Sequence, residues 1–253
     1  MSTEIICGRH PVFEAITAGQ RSFKKILIAR KYEGDIVDQI IDLARKKNIP
    51  VQFEDSKKLI GYSSNHQGVV AFVSPKEYWQ FDRLVKLTEK KENSVVCILD
   101  EIEDPQNLGS ILRSAVCFSV DAVLIQSRMS AGISTGTAKA SAGAIEHIPI
   151  VKVVNIVQAI ESLKKIGFWI YGADMQGEVI FKKEIKGKIA VVIGSEGSGL
   201  RHLTKEKVDF LVKIPIDKKI SSLNAAMSAS IIFYEINRQK MLDISVKKDI
   251  IKQ

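Results

Sequence analysis

The stretch Ile189-Ala190-Val191-Val192-Ile193-Gly194-Ser195-Glu196-Gly197-Ser198-Gly199-Leu200 decides how the chain is read. An unbroken apolar run has the look of a buried strand, and the three glycines after it have the look of a nucleotide loop. A glutamate in the middle contradicts that, because it would repel a phosphate. A phosphate loop of the triphosphatase kind also needs Lys-Ser/Thr after its last glycine, and here Leu200-Arg201 follow. The dinucleotide fingerprint needs G-x-G-x-x-G, whereas this turn runs G-x-x-G-x-G. What remains is either a plain turn capping the next helix or a tight turn that brings main chain close to a neutral or cationic ligand.

Working outward, the same strand-then-helix alternation fills the chain from Ser94 onward. VVCILD reads as a buried strand and LGSILRSAVCF as a helix; DAVLIQ is a strand followed by the small-residue helix TGTAKASAGA. IVKVV, a helix through Asn155–Lys165, FWIYGA and IAVVIG continue the series, and a long helix is expected over Ala225–Gln239. Near-continuous apolar strands between amphipathic helices predict a parallel sheet covered on both faces. On such sheets ligands bind beyond the carboxyl ends of strands, which selects the loops after Leu99, Tyr171, Ile193 and Ile214.

Upstream, PVFEAITAG reads as a helix closed by Gly19, KKILIA as a strand, and DIVDQIIDLARKKNIP as an amphipathic helix ending before Pro50. VQF and GVVAFV complete a small α/β unit. The charged stretch SPKEYWQFDRLVKLTEKKENS reads as a linker with some helical content. The expected division is therefore a small domain over 1–74, a linker over 75–93 and a larger domain over 94–253.

The chain has 253 residues, 45% of them apolar, with a formal charge of +8, a balance that favours a polyanionic partner. Lys24, Lys25, Arg45, Lys46 and Lys47 concentrate part of that charge on two elements of the small domain. No apolar run approaches the ~20 residues of a membrane helix, and MSTEIICGRH lacks a signal-peptide layout. Cys7, Cys97 and Cys117 are few and widely spaced, which suits thiols of a reducing compartment, the cytoplasm, and no metal site. The final stretch, Asp243–Gln253, reads as a short basic tail.

Two further loops carry chemistry. In Glu103-Asp104-Pro105-Gln106-Asn107-Leu108-Gly109, Pro105 bends the chain off the strand, and Arg113 follows on the helix. In Ile214-Pro215-Ile216-Asp217 through Ser221-Ser222-Leu223-Asn224, a serine and an asparagine arrive at a helix start. Taken singly, Asn107, Ser222 and Asn224 read as helix caps and Arg113 as a solvated face. No histidine stands where it could activate Ser222 as a nucleophile.

Together, DPQNLGSILRSA, IGSEGSGL and IPIDKKISSLN resemble the three signature motifs of the SpoU (TrmH-type) RNA ribose 2′-O-methyltransferases of the SPOUT superfamily, in the family's order and spacing. IICGRHPVFEAITAG and NHQGVVAFVSPKEY are similar to the L30e-like RNA-binding domain of the 23S rRNA guanosine 2′-O-methyltransferases in that family. The chain departs from that pattern at Cys7-Gly8-Arg9-His10, where Gly-Ile-His is expected, and at Ile216-Asp217, where methionine is commoner.

The resemblance implies a deep trefoil knot near the C-terminus, a homodimer, and S-adenosylmethionine as cofactor. It implies backbone contacts to that cofactor at Gly194, Ile214 and Leu223, and a catalytic constellation of Asn107, Arg113, Glu196, Ser222 and Asn224. A tRNA ribose methyltransferase, a methylase of another rRNA nucleotide, including a resistance-type enzyme, and a non-catalytic RNA-binding assembly factor are the rival readings.

Overall fold

The structure, a computed structural model, describes residues 3–217 and 219–251 of the chain, with side chains as far as 243. The described residues divide into two compact units, one of Met1–Glu77 with Gly132–His147 and one of Tyr78–Ala131 with Ile148–Gln253.

The first unit runs β1 (Glu4–Cys7), α1 (Arg9–Ala18), β2 (Phe23–Ala29), α2 (Asp35–Lys46), β3 (Val51–Glu54), α3 (Ser56–Ile60) and β4 (Val69–Val73). Its four strands lie in the order β1-β4-β2-β3, with β2 parallel to β3 and antiparallel to β4. The helical periodicity of α2 turns Val37, Ile40, Ile41 and Ala44 inward, where they meet Val12 and Ile16 of α1 and Ile26 and Ile28 of β2. Each such fully buried aliphatic side chain stabilises by about 1.5–3 kcal/mol relative to exposure.

Gly132–His147 belongs to this first unit although it lies within the span expected for the larger domain. It carries the short helix α6 (Thr135–Ala140), and its Glu146 accepts from Arg21 Nε at 2.9 Å and Nη2 at 2.8 Å. Both side chains are buried, so the two-pronged geometry offsets the desolvation of each charge. His147 Nε2 lies 2.6 Å from Glu14. The basic residues expected to act together are dispersed in use: Lys47 bonds the Ile16 carbonyl, Arg45 stands 3.9 Å from Asp42, and Lys25 donates to Gln52.

The second unit runs α4 (Phe81–Glu89), β5 (Ser94–Asp100), α5 (Pro105–Cys117), β6 (Ala122–Gln126), β7 (Ile150–Val153), α7 (Ile156–Lys165), β8 (Phe168–Val179), β9 (Lys188–Gly194), α8 (His202–Lys207), β10 (Phe210–Lys213) and α9 (Ala225–Ile251). The six strands lie in the order β10-β8-β9-β5-β6-β7, every pair parallel. Every residue of β5 is buried, as its uninterrupted apolar run predicts for a central strand with both faces covered.

By compactness this unit begins at Tyr78 rather than at Ser94. Trp79 bridges to Val151 beside β7, and Leu84 of α4 is wholly buried in the second core, so the charged stretch over 75–93 is packed structure for most of its length. Its sequence misleads because only one narrow stripe of α4 is apolar. Helix α9 continues well past the expected end at Gln239; the side chains of the basic tail beyond 243 lie outside the described residues. No helix among the described residues is long and apolar enough to cross a membrane.

Candidate active site

Strand β9 ends in Gly194, and the chain folds back on itself at once. Ser195 N–H donates to Gly199 O at 3.2 Å and Gly199 N–H to Ser195 O at 3.0 Å, closing a narrow loop. A Cβ at Gly194 would lie 2.2 Å from the Gly199 carbonyl carbon and oxygen, so no other residue fits there. Gly197 and Gly199 take φ of 91° and 67°, the left-handed region that closes the loop. The glycines of the opening motif therefore serve the turn itself, and Glu196 is carried outward at its tip.

The base of this loop is anchored to the neighbouring strand. Asp100 closes β5 with its side chain fully buried, and accepts from Arg201 Nε at 2.6 Å and from Arg201 N–H at 3.1 Å. Neither residue stood out from its motif, although an acidic residue ending an otherwise apolar strand was a usable signal. Glu101, next along, takes φ of 60°, an uncommon conformation for a residue with a side chain.

Helix α5 starts beside the loop. Asp104 is its cap, accepting from Gln106 N–H at 3.0 Å, with Pro105 in the first turn. Asn107 is thereby freed from capping. Its Nδ2 donates to Glu196 Oε1 at 2.9 Å.

Asn224 does both jobs open to it. Its Oδ1 caps α9, accepting from Ala226 N–H at 2.8 Å and Met227 N–H at 3.2 Å. Its Nδ2 donates to Asn107 Oδ1 at 2.9 Å and also to Glu196 Oε1. Ala225 N–H points at the same carboxylate oxygen from 3.4 Å. A carboxylate at the positive end of α9 is electrostatically favoured, which accounts for the acid in a glycine-rich turn. Among the described residues none donates to Glu196 Oε2.

A cleft of about 420 Å³ opens beside this triad. Gly194, Glu196, Ile214, Ser222 and Leu223, five of the eight residues selected from the sequence, line it together. Asn107 lines an adjoining recess with Glu101 and Asp104. The loops expected after Ile193 and Ile214 thus meet at one cleft and the loop after Leu99 forms its neighbour, whereas no loop follows Tyr171: β8 continues to Val179 and lines the cleft as strand.

Ser222 is exposed and makes no hydrogen bond to the triad among the described residues. Arg113 is exposed on α5; at ~100° per residue it stands about 240° around the helix from Asn107. Its guanidinium bonds to none of the triad.

The far wall of the cleft was not foreseen. Lys205 stands 2.7 Å from Asp174 Oδ2 and donates to Gln176 Oε1 at 2.9 Å. Burial pushes the Asp174 carboxyl up, but the Lys205 ammonium and the Gln176 N–H outweigh it and hold the group below the usual carboxylate range. These residues sit on β8 and α8, in stretches with no motif to mark them.

Comparison with known proteins also divides the chain in two, but keeps 132–147 with the larger part. Residues 94–234 match the SpoU rRNA methylase family profile, and residues 5–79 match that for RNA 2′-O ribose methyltransferase substrate binding. The chain is 42% identical over 243 residues to a Staphylococcus saprophyticus protein assigned to the TrmH family of tRNA/rRNA methyltransferases, covering 95% of this chain and 97% of that one. It is 39% identical over 240 residues to Bacillus subtilis YacO, assigned likewise, covering 94% and 96%.

Among solved structures, the SpoU methyltransferase AviRb from Streptomyces viridochromogenes, in complex with AdoMet, superposes with a TM-score of 0.79 at 23% identity, covering 94% of this chain and 91% of that one. An AdoMet-bound rRNA methyltransferase from Sinorhizobium meliloti gives 0.75 at 22% identity, covering 93% and 87%. These two share the fold. The matched profile over more than half the chain, with near-full-length relatives at about two residues in five, is decisive: the chain belongs to the SpoU/TrmH family of RNA methyltransferases.

Proposed function

We propose that this protein transfers a methyl group from S-adenosylmethionine to the 2′-oxygen of a ribose in RNA, with a guanosine of 23S rRNA as its target. The observation that carries the reading is the convergence of Gly194, Ile214, Leu223, Glu196 and Ser222 on one cleft beside the Asn107–Glu196–Asn224 triad.

The residues present fit the cofactor. The turn offers close main chain and a carboxylate and holds no lysine of its own, and Lys205 on the far wall is engaged by Asp174, as suits a sulfonium cation; Gly194, Ile214 and Leu223 would hold its adenosyl part through backbone groups. S-adenosylmethionine supplies an electrophilic methyl that leaves a neutral thioether behind. What the chain supplies is position, which contributes on the order of 7–11 kcal/mol in favourable reactions.

Asn107 and Asn224 fix Glu196 through Oε1, which leaves Oε2 to orient the incoming hydroxyl. Arg113, on the solvent side of α5, grips the phosphate beside the target ribose and stabilises the developing alkoxide. A guanidinium remains protonated and therefore does not take the 2′ proton itself; that proton leaves the hydroxyl for water at the cleft mouth as the oxygen accepts the methyl. Ser222 hydrogen-bonds the ribose from the cleft rim.

The homodimer implied by the resemblance accords with an exposed apolar stripe on α9, Met227, Ile231, Tyr234 and Met241, at helical spacing. The knot rests on the resemblance; the late strands β8, β9 and β10 lie together on one side of β5. Free thiols at all three cysteines accord with a cytoplasmic setting.

The test is incubation of the purified protein with methyl-labelled cofactor and total RNA from a strain lacking the gene, followed by mapping of the labelled ribose. Label at a 23S guanosine is expected. Label confined to tRNA would overturn the choice of RNA, and tight cofactor binding without any transfer would overturn catalysis.

A further inference from the structure

We propose that the first unit binds unpaired RNA bases on the sheet face turned away from α1 and α2, with Tyr62, Phe72, Lys25 and Gln52 forming the stacking platform. The proposal rests on RNA being the substrate class and names the surface that would hold it.

Strand register builds the platform. Ile5 pairs with Phe72, and Phe72 with Lys25, which places all three in one row across β1, β4 and β2. Lys25 Nζ donates diagonally to Gln52 Oε1 at 3.1 Å, Gln52 of β3 pairing with Leu27 on the same face. Successive residues alternate between faces, so Ile26, Ala71 and Val73 turn to the opposite side, under the helices. The row's own face has only a small apolar cluster, Cys7, Leu27, Ala29, Leu59 and Val70, with Phe72 half-buried at its margin.

Leu59 of α3 covers that cluster, and beyond it Phe72 and Lys25 are half-buried while Gln52 and Tyr62 are exposed. Tyr62 meets Phe72 edge-on at 5.3 Å and 88°, and is 42% exposed. Lys25 lies 5.3 Å above the Phe72 ring. A sheet face held only for stability would place apolar side chains under a helix or charges toward water. Here two rings, an ammonium and an amide share one partly exposed patch beside α3. Flat rings serve any base, a cation over a ring adds attraction, and an amide reads base edges; unpaired RNA is recognised by those means.

Charge points the same way. Lys58 donates to Glu54 at 2.9 Å, and Lys25 and Arg30 act on the same carboxylate, holding it below its usual range. Three cations thus surround one anion beside the rings, a positive surplus that suits a phosphodiester strand.

The experiment uses the full chain and a short fluorescein-labelled single-stranded RNA, with the same RNA annealed to its complement as the second probe, read by anisotropy. Tyr62→Ala should weaken single-strand binding by roughly 5- to 150-fold, the range of one lost base–aromatic stack. Tyr62→Phe should bind as the parent does, because the ring is kept, and duplex binding should be unchanged in both. Lys25→Gln, which keeps the bulk of the side chain, should weaken the single strand and flatten its salt dependence.

Equal loss of single strand and duplex in Tyr62→Ala would overturn the platform and leave only a diffuse electrostatic grip. Parental RNA binding by Tyr62→Ala, as expected if this face instead covers a protein partner, would also overturn it. In either case methyl transfer by the parent protein would leave the proposed function standing; its absence, together with absence of any RNA binding, would remove both.

Discussion

The Asn224 side-chain amide donates to Asn107 Oδ1 at 2.9 Å, joining the start of α9 to the first turn of α5 across 117 positions of chain. Because Asn224 Oδ1 is committed to capping α9, its amide can face only one way, and Nδ2 is aimed at Asn107 and Glu196. The two helices also pack together, with Ser114 Oγ and Ser230 Oγ 2.5 Å apart farther along. The cap of α9 and the amide that holds Asn107 and Glu196 together are therefore one residue.

Asn224→Ser separates these roles. A serine keeps the cap, so thermal stability should stay within about 1 kcal/mol of the parent. It lacks the amide bridge to a carboxylate, and turnover should fall about 10- to 100-fold. A melting curve beside a methyl-transfer assay checks both; a large stability loss with parental turnover would reduce Asn224 to a cap.

Gly194→Ala places a Cβ 2.2 Å from the Gly199 backbone, where no flexible side chain can yield. The loop must open, at a cost of about 1–3 kcal/mol, and calorimetry should show cofactor binding lost. At Gly197 a new Cβ meets nothing within 4 Å. Gly197→Ala should therefore show only the strain of its positive φ, about 1–2 kcal/mol, with cofactor binding kept.

Arg113→Lys tests the two-pronged phosphate grip. Lysine preserves the charge but not the planar fork. Cofactor affinity should be unaffected while turnover drops about tenfold or more. Near-parental turnover would mean that a point charge suffices and would exclude the fork.

Acid should expose the Asp174–Lys205 contact. Since the folded-state pKa of Asp174 is depressed, its contribution to stability is present above the ordinary aspartate value of about 3.9 and is lost as pH falls through the lower folded value. The stability gap between parent and Asp174→Asn, from urea titrations at a series of pH values, should close over that window. A gap that stays constant would show that the charge is not what Lys205 contributes against.

Local sequence determined a great deal here. The apolar runs of β5 and β9 declared central parallel strands, because a strand covered on both faces has no polar positions to alternate. The three turns at their carboxyl edge were legible as candidate ligand loops, because glycine, proline and cap residues act within a few positions of themselves. Tertiary structure alone decided which atoms meet. Glu196 accepts from Asn107 and Asn224, at 89 and 28 positions' remove, because the end of β9 and the starts of α5 and α9 lie side by side. Asp100 and Arg201 became an anchor only when adjacent strands brought them within hydrogen-bond reach, and α4 became core only when Leu84 found an apolar wall. Gly132–His147 joined the first unit through Arg21 and Glu146, a pair 125 positions apart. Periodicity reports which face of an element is apolar; which other face it meets depends on chain closure over distances that no local pattern records.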